Sequence, residues 1–160
     1  MPDFPERVYT EEEVKTAKEL IDQGYKHKLT IESSKDFKQK ISQVLELIKT
    51  AGYFDFFSSY IRTIVEIDGL TQLRETEVAI WANKFAVENP VDAASLFIQK
   101  TYQMKEYIEG ELYYGGTAEK RSVAKRIEFL HILKEKSRDK NVREECDRLL
   151  QLWKESSLAF

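Results

Sequence analysis

Glu128 and His131 stand three residues apart, the spacing that on a helix aims a carboxylate and an imidazole at one metal ion. A carboxylate-bridged di-iron bundle needs two such fragments and a Glu from each of two other helices. The chain holds one further histidine, His27, and it has no Glu three residues before it. Glu128 and His131 also fall toward the polar side of their helix, so the pair reads as solvated and no metal is expected. Cys146, the one cysteine, is the other candidate, because a thiolate nucleophile is recognised by an electropositive, accessible setting with a base at hand. It stands instead on an apolar stripe beside Glu144, Glu145 and Asp147, charges that raise a thiol pKa, and reads as buried and inert. There is no glycine-rich phosphate loop, no GxSxG elbow, no HExxH and no CxxC. No cofactor is expected, and an enzyme is the less favoured reading.

Two groups of charges remain. Residues 70–88 read as one helix with Leu70, Leu73, Val78, Ile80, Trp81 and Phe85 in one arc, and Arg74, Glu77 and Lys84 fall inside that arc. Charges are almost never fully buried unpaired. One reading is structural: an Arg74–Glu77 pair at i, i+3, with Lys84 carrying its amine to the rim. The other is a polar pocket among aromatics, with Tyr102 or Tyr113 nearby, in which Glu77 acts as a base or Arg74 grips an anion. Arg74, Glu77, Trp81 and Tyr102 are therefore the candidate ligand-binding residues. The second group is a basic band over residues 120–143, with nine Lys or Arg against Glu128, Glu135 and Asp139 in a chain of net charge −3. Lys120, Arg121, Lys125, Arg126, Arg138, Lys140 and Arg143 are its candidate partner-binding residues, for phosphates or an acidic protein face.

The elements that would position these residues read as helices. With 160 residues the chain has the length of one domain, and 6 Gly and 3 Pro leave little room for turns. Residues 1–9 read as an extended arm, ordered only if Phe4 or Val8 docks. Thr10 opens a helix with a capping box, Ser34 caps a second over 35–50, and Asn89 with Pro90 restarts the chain into a helix reaching 109. That last helix is apolar over roughly 240° of its circumference and residues 53–67 over about 180°, so these two are expected to share the core. Residues 25–32 alternate at a strand period, but no second alternating run exists to pair with them, and they read as an extended connector. Whether another chain pairs with this segment stays open. After a loop at 110–116, Thr117 is expected to cap a helix to 136, and a last helix runs over 142–154. These two, joined by SRDKN, are similar in outline to a HEAT-type pair on spacing alone, with no second copy at a fixed period.

The expectation is thus an all-α fold: an arm over 1–9 and, over 10–160, a single-domain antiparallel bundle of six or seven helices. No basic and apolar leader opens the chain, no run has the length of a membrane span, and a reducing cytoplasm is the expected address. The leading functional expectation is a non-enzymatic scaffold or adaptor domain that binds another protein or a second copy of itself, with no membrane partner. The runner-up is a small-ligand binder or enzyme using an aromatic pocket around Trp81, Tyr102 and Glu77. A nucleic-acid accessory protein acting through the basic band ranks third, since the net charge argues against a generally basic binder.

Overall fold

A computed structural model describes residues 3–156. The ends of the expected segments at 1–2 and 157–160 lie outside the described residues. Helix α1 (Glu11–Asp22) opens on the capping box: Thr10 Oγ accepts the Glu13 amide at 3.2 Å and Glu13 Oε1 accepts the Thr10 amide at 2.9 Å. Strand β1 (Thr30–Glu32) follows, then α2 (Lys35–Thr50), capped by Ser34 and burying Phe37, Ile41, Val44 and Ile48 along one face. Gly52, at φ +80, makes the turn that L side chains resist; a Cβ there would also sit 3.2 Å from Lys136 Nζ.

The next two stretches overturn the all-α expectation. Residues 53–67 form a short helix, α3 (Phe54–Tyr60), and a strand, β2 (Thr63–Ile67), divided at Ile61, whose backbone is extended. Four of the five residues of β2 are β-branched, and stiff χ1 rotamers favour a strand over another turn of helix. Residues 70–88 form β3 (Gln72–Arg74), a one-turn 3-10 helix (Glu75–Glu77), β4 (Ala79–Asn83) and a second 3-10 turn (Ala86–Glu88). The connector at 25–32 therefore has a partner in its own chain. The sheet order is β1-β2-β4-β3, with β1, β2 and β4 parallel and β3 antiparallel at the edge. Among the described residues the protein has six α-helices and a four-stranded mixed sheet, and is not an antiparallel bundle.

Register fixes what each face of the sheet carries. Ile31, Ile64, Ile80 and Leu73 form one row across all four strands, and Ile64 and Ile80 are wholly buried on the helical side. Glu32, Val65, Trp81 and Gln72 form the next row, which points the other way. Helix α4 (Pro90–Ile108) is the centre of the helical layer. Asn89 caps it, accepting the Asp92 amide at 3.1 Å, and α4 packs against α1, α2, α3 and two further helices. These are α5 (Gly116–Lys136) and α6 (Lys140–Lys154). Helix α5 starts one residue before the expected Thr117 cap, from Gly115 at φ +89 and without a side-chain cap; Asp139 caps α6. The two helices pack as a pair, but as part of the mixed domain rather than as a repeat.

The arm packs on the rest of the chain through both Phe4 and Val8. Phe4 lies 5.1 Å from the Tyr25 ring and 4.4 Å from the His27 ring, and Val8 is wholly buried. Val8 donates its amide to the Thr76 carbonyl at 2.8 Å, while the Arg62 guanidinium donates to the carbonyls of Pro5 at 3.0 Å and Glu6 at 2.6 Å. No described helix is long and apolar enough to cross a membrane.

Candidate functional site: an open sheet face

Parallel sheets are normally covered on both faces, because their crossover helices lie there. Here the face carrying Val65 and Trp81 stays partly open to solvent, with a cleft of about 280 Å³ lined by Glu32, Thr63, Val65, Glu77, Ala79 and Trp81. The Arg74 guanidinium lies 4.2 Å from the centre of the Trp81 ring, a cation–π stack, and Arg74 Nε is 3.8 Å from Glu77 Oε2. Three of the four candidate ligand residues thus come together, through a strand–turn–strand rather than a helix. The turn that presents Glu77 is held firmly: Val78 sits in the left-handed region at φ +57, a conformation a β-branched residue resists. Arg62, just before β2, pins it, its amide donating to the Val78 carbonyl at 2.8 Å and its guanidinium to the Glu77 carbonyl at 3.1 Å. The cleft offers an indole, a hydroxyl and two carboxylates, with no thiol or imidazole among its lining residues. That set suits noncovalent recognition of an apolar group accompanied by a cation.

Tyr102 is not part of this cleft. It lines a separate one of about 540 Å³ between α3, α4 and α5, with Gly52, Tyr53, Phe56, Lys105 and Lys125. Lys125 Nζ sits 5.8 Å from the Tyr102 ring centre and 3.5 Å from Glu128 Oε2, while Lys105 pairs with Glu109 at 2.7 Å. Tyr53 donates to Glu128 Oε1 at 3.1 Å, and burial, followed by the Glu128 charge, pushes its phenol above the ordinary range. The single pocket around Trp81, Tyr102 and Glu77 does not form, because the helix that would have joined them is a sheet segment. Lys84, expected at the rim of that helix, pairs with Asp68 at 2.9 Å.

The basic band divides between two roles. Arg126 is buried, and its donors are engaged by Asp92 Oδ1 at 2.7 Å, Ser95 Oγ at 2.9 Å and Gln99 Oε1 at 3.2 Å, with the Trp153 ring 5.0 Å from its guanidinium carbon. Arg121 pairs with the buried Glu106 at 2.8 Å and donates to the Leu112 carbonyl at 2.8 Å. Asp92, Ser95, Gln99 and Glu106 recur every three to four residues and their multiples along α4, forming the polar stripe that its wide apolar arc leaves over. Sequence reading missed this stripe; its helical spacing opposite the apolar arc was the signal available. Of the rest of the band, Lys120, Arg138 and Lys140 are exposed, and Arg143 donates to the Ser137 carbonyl at 3.1 Å.

Cys146 is wholly buried, and burial, then the Asp147 and Glu145 charges, pushes its thiol up to about 11. Glu128 faces Tyr53 and Lys125, while His131 is exposed and lines a different cleft, beside Lys134 and Trp153. Among the described residues no group of three or more His, Cys, Asp or Glu could hold a metal ion. Compared with protein-family models, curated proteins and solved structures, the chain matches none.

Proposed function

We propose that this chain is a non-enzymatic, cytoplasmic interaction domain that binds another protein through the open face of its sheet. The observation that carries this reading is a largely parallel sheet whose outer face carries a half-buried indole beneath Arg74 and a cleft, where such sheets are usually covered by helices. The partner's chemistry follows from the cleft: an apolar side chain on Trp81 and Val65, and a Lys or Arg between Glu32 and Glu77. Tryptophan is enriched among the few residues that dominate binding energy at interfaces. Affinity purification from the native cell, repeated with variants, tests this. Trp81→Ala should weaken capture of the partner by roughly thirtyfold or more, as loss of a hot-spot residue of about 2 kcal/mol does. Leu152→Glu, on the exposed side of α6, should leave it unchanged. Equal recovery with wild type and Trp81→Ala, both shown folded by circular dichroism, would refute the reading.

A second reading rests on the Tyr102 cleft, whose volume suits a small ligand. Three aromatic rings and two lysines would favour an anionic aromatic molecule. Adenosine monophosphate binding that Lys125→Ala abolishes would support it, and no binding at millimolar concentration would remove this probe's support. The arginines at 121 and 126 face α4, which leaves little surface for a nucleic-acid reading.

A further inference from the structure

We infer that two copies of this chain pair through β1, antiparallel and centred on Thr30. Strand β1 is an edge of the sheet. Its Thr30 amide donates to the Arg62 carbonyl at 3.0 Å and its ladder with β2 is in parallel register, so Thr30 and Glu32 turn their backbone groups inward. The intervening groups therefore point away from the sheet: the Leu29 carbonyl, and both the amide and the carbonyl of Ile31. An edge of this kind is a template for another strand.

Only some registers satisfy these groups, and one of them also satisfies the charges. With a two-fold axis at Thr30, each Ile31 amide meets the Leu29 carbonyl of the second copy. Lys28 then stands opposite Glu32 of the second copy, and Glu32 opposite its Lys28, giving two reciprocal opposite-charge pairs across the strands. Both residues are exposed and carry no ion pair among the described residues. Lys26 meets Ser34, so no like charges face each other. Leu29 and Ile31, partly buried on the helical side, gain apolar contact with their counterparts. Lysines and short edge strands are also the usual means of blocking such pairing; here the lysine has its complement four residues along the same strand. The product is a continuous eight-stranded sheet with both Trp81 faces on one side. Those faces stay uncovered; Glu32 borders both the cleft and the new seam, so Lys28→Glu and Thr30→Cys, which lie outside the cleft lining, separate this pairing from the proposed partner site.

Sedimentation velocity on the full chain should show a concentration-dependent dimer. Lys28→Glu alone and Glu32→Lys alone should each weaken it roughly tenfold, since each change converts both pairs to like charges. The double variant should restore it. Thr30 of the two copies would form a non-hydrogen-bonded pair with Cα atoms about 4.5 Å apart, within disulfide reach. Thr30→Cys should therefore cross-link under mild oxidation faster than a Lys38→Cys control, with the buried Cys146 uninvolved. A chain that stays monomeric and shows no preferential cross-linking overturns the inference. So does a double variant that fails to restore a dimer lost in the single ones, and so does capture of a foreign strand on β1 by a monomeric chain.

Discussion

Arg126→Ala lowers the free energy of unfolding by about 3–5 kcal/mol, the range for breaking a buried ion pair by removing one partner. Ser95 is wholly buried and Gln99 nearly so, and neither can turn to water when the guanidinium goes. Asp92 is more exposed and can recover part of its solvation, which places the loss toward the lower end. The stem also packs beside Trp153, so alanine removes apolar contact as well as charge. Arg126→Met separates the two contributions: it keeps the stem and should cost about 1 kcal/mol less than alanine, by roughly the value of the retained methylenes. Urea denaturation measures both. A loss below about 1 kcal/mol for Arg126→Ala would mean that water replaces the missing donors, since that is the size of an exposed ion pair. Lys120→Ala, on the exposed side of the same helix, should change stability by under about 0.5 kcal/mol.

Acidification from pH 7 toward pH 4 weakens the fold by about 3 kcal/mol through His27 alone, from a pKa difference of about 2.5 units. The imidazole is buried between the Phe4 and Tyr25 rings, its Nε2 has no hydrogen-bond partner, and the Arg62 charge faces it. Burial first and Arg62 second push its pKa down to about 4 from an ordinary 6.5. Between those values the unfolded chain takes up a proton that the folded chain refuses. Stability therefore falls as pH drops through 6.5 and stops changing, for this group, below about 4. His27→Phe should remove that slope, leaving only the carboxylate titrations nearer pH 4. Urea melts at pH 7 and pH 5, with an NMR titration of the imidazole, check both statements. An imidazole midpoint near 6.5 would show that the arm does not shield it.

The helical half of the fold was legible because helix ends carry their own chemistry. Thr10, Ser34 and Asn89 are side-chain acceptors whose placement before an apolar periodicity marks a start, and all three cap as expected. The strands were not legible, because a short apolar run satisfies both periods. Residues 63–67 lie in the middle of the sheet, where both sides are at least partly covered, so they lack the alternation that marks a half-exposed strand. Without β2 the alternation at 25–32 had nothing to pair with. Arg74 and Glu77 stand out among apolar residues because both are partly buried beside Trp81, a cause that holds in either secondary structure. Counting charge along residues 120–143 could not show direction. Facing an α4 stripe of Asp92, Ser95, Gln99 and Glu106 is what turns Arg121 and Arg126 inward.

The sheet's connectivity also bears on how the molecule assembles. Thr30 pairs with Thr63 across the whole of α2 and α3, whereas α5 and α6 are neighbours in sequence and in space. Closing the longer loop costs more chain entropy before any contact repays it. Amides of α5 and α6 should therefore gain protection from exchange early in refolding, and those of β1 and β2 late. Until β2 is flanked, its row of β-branched residues is the segment most open to misassociation, and slow refolding at high concentration should lose material there first.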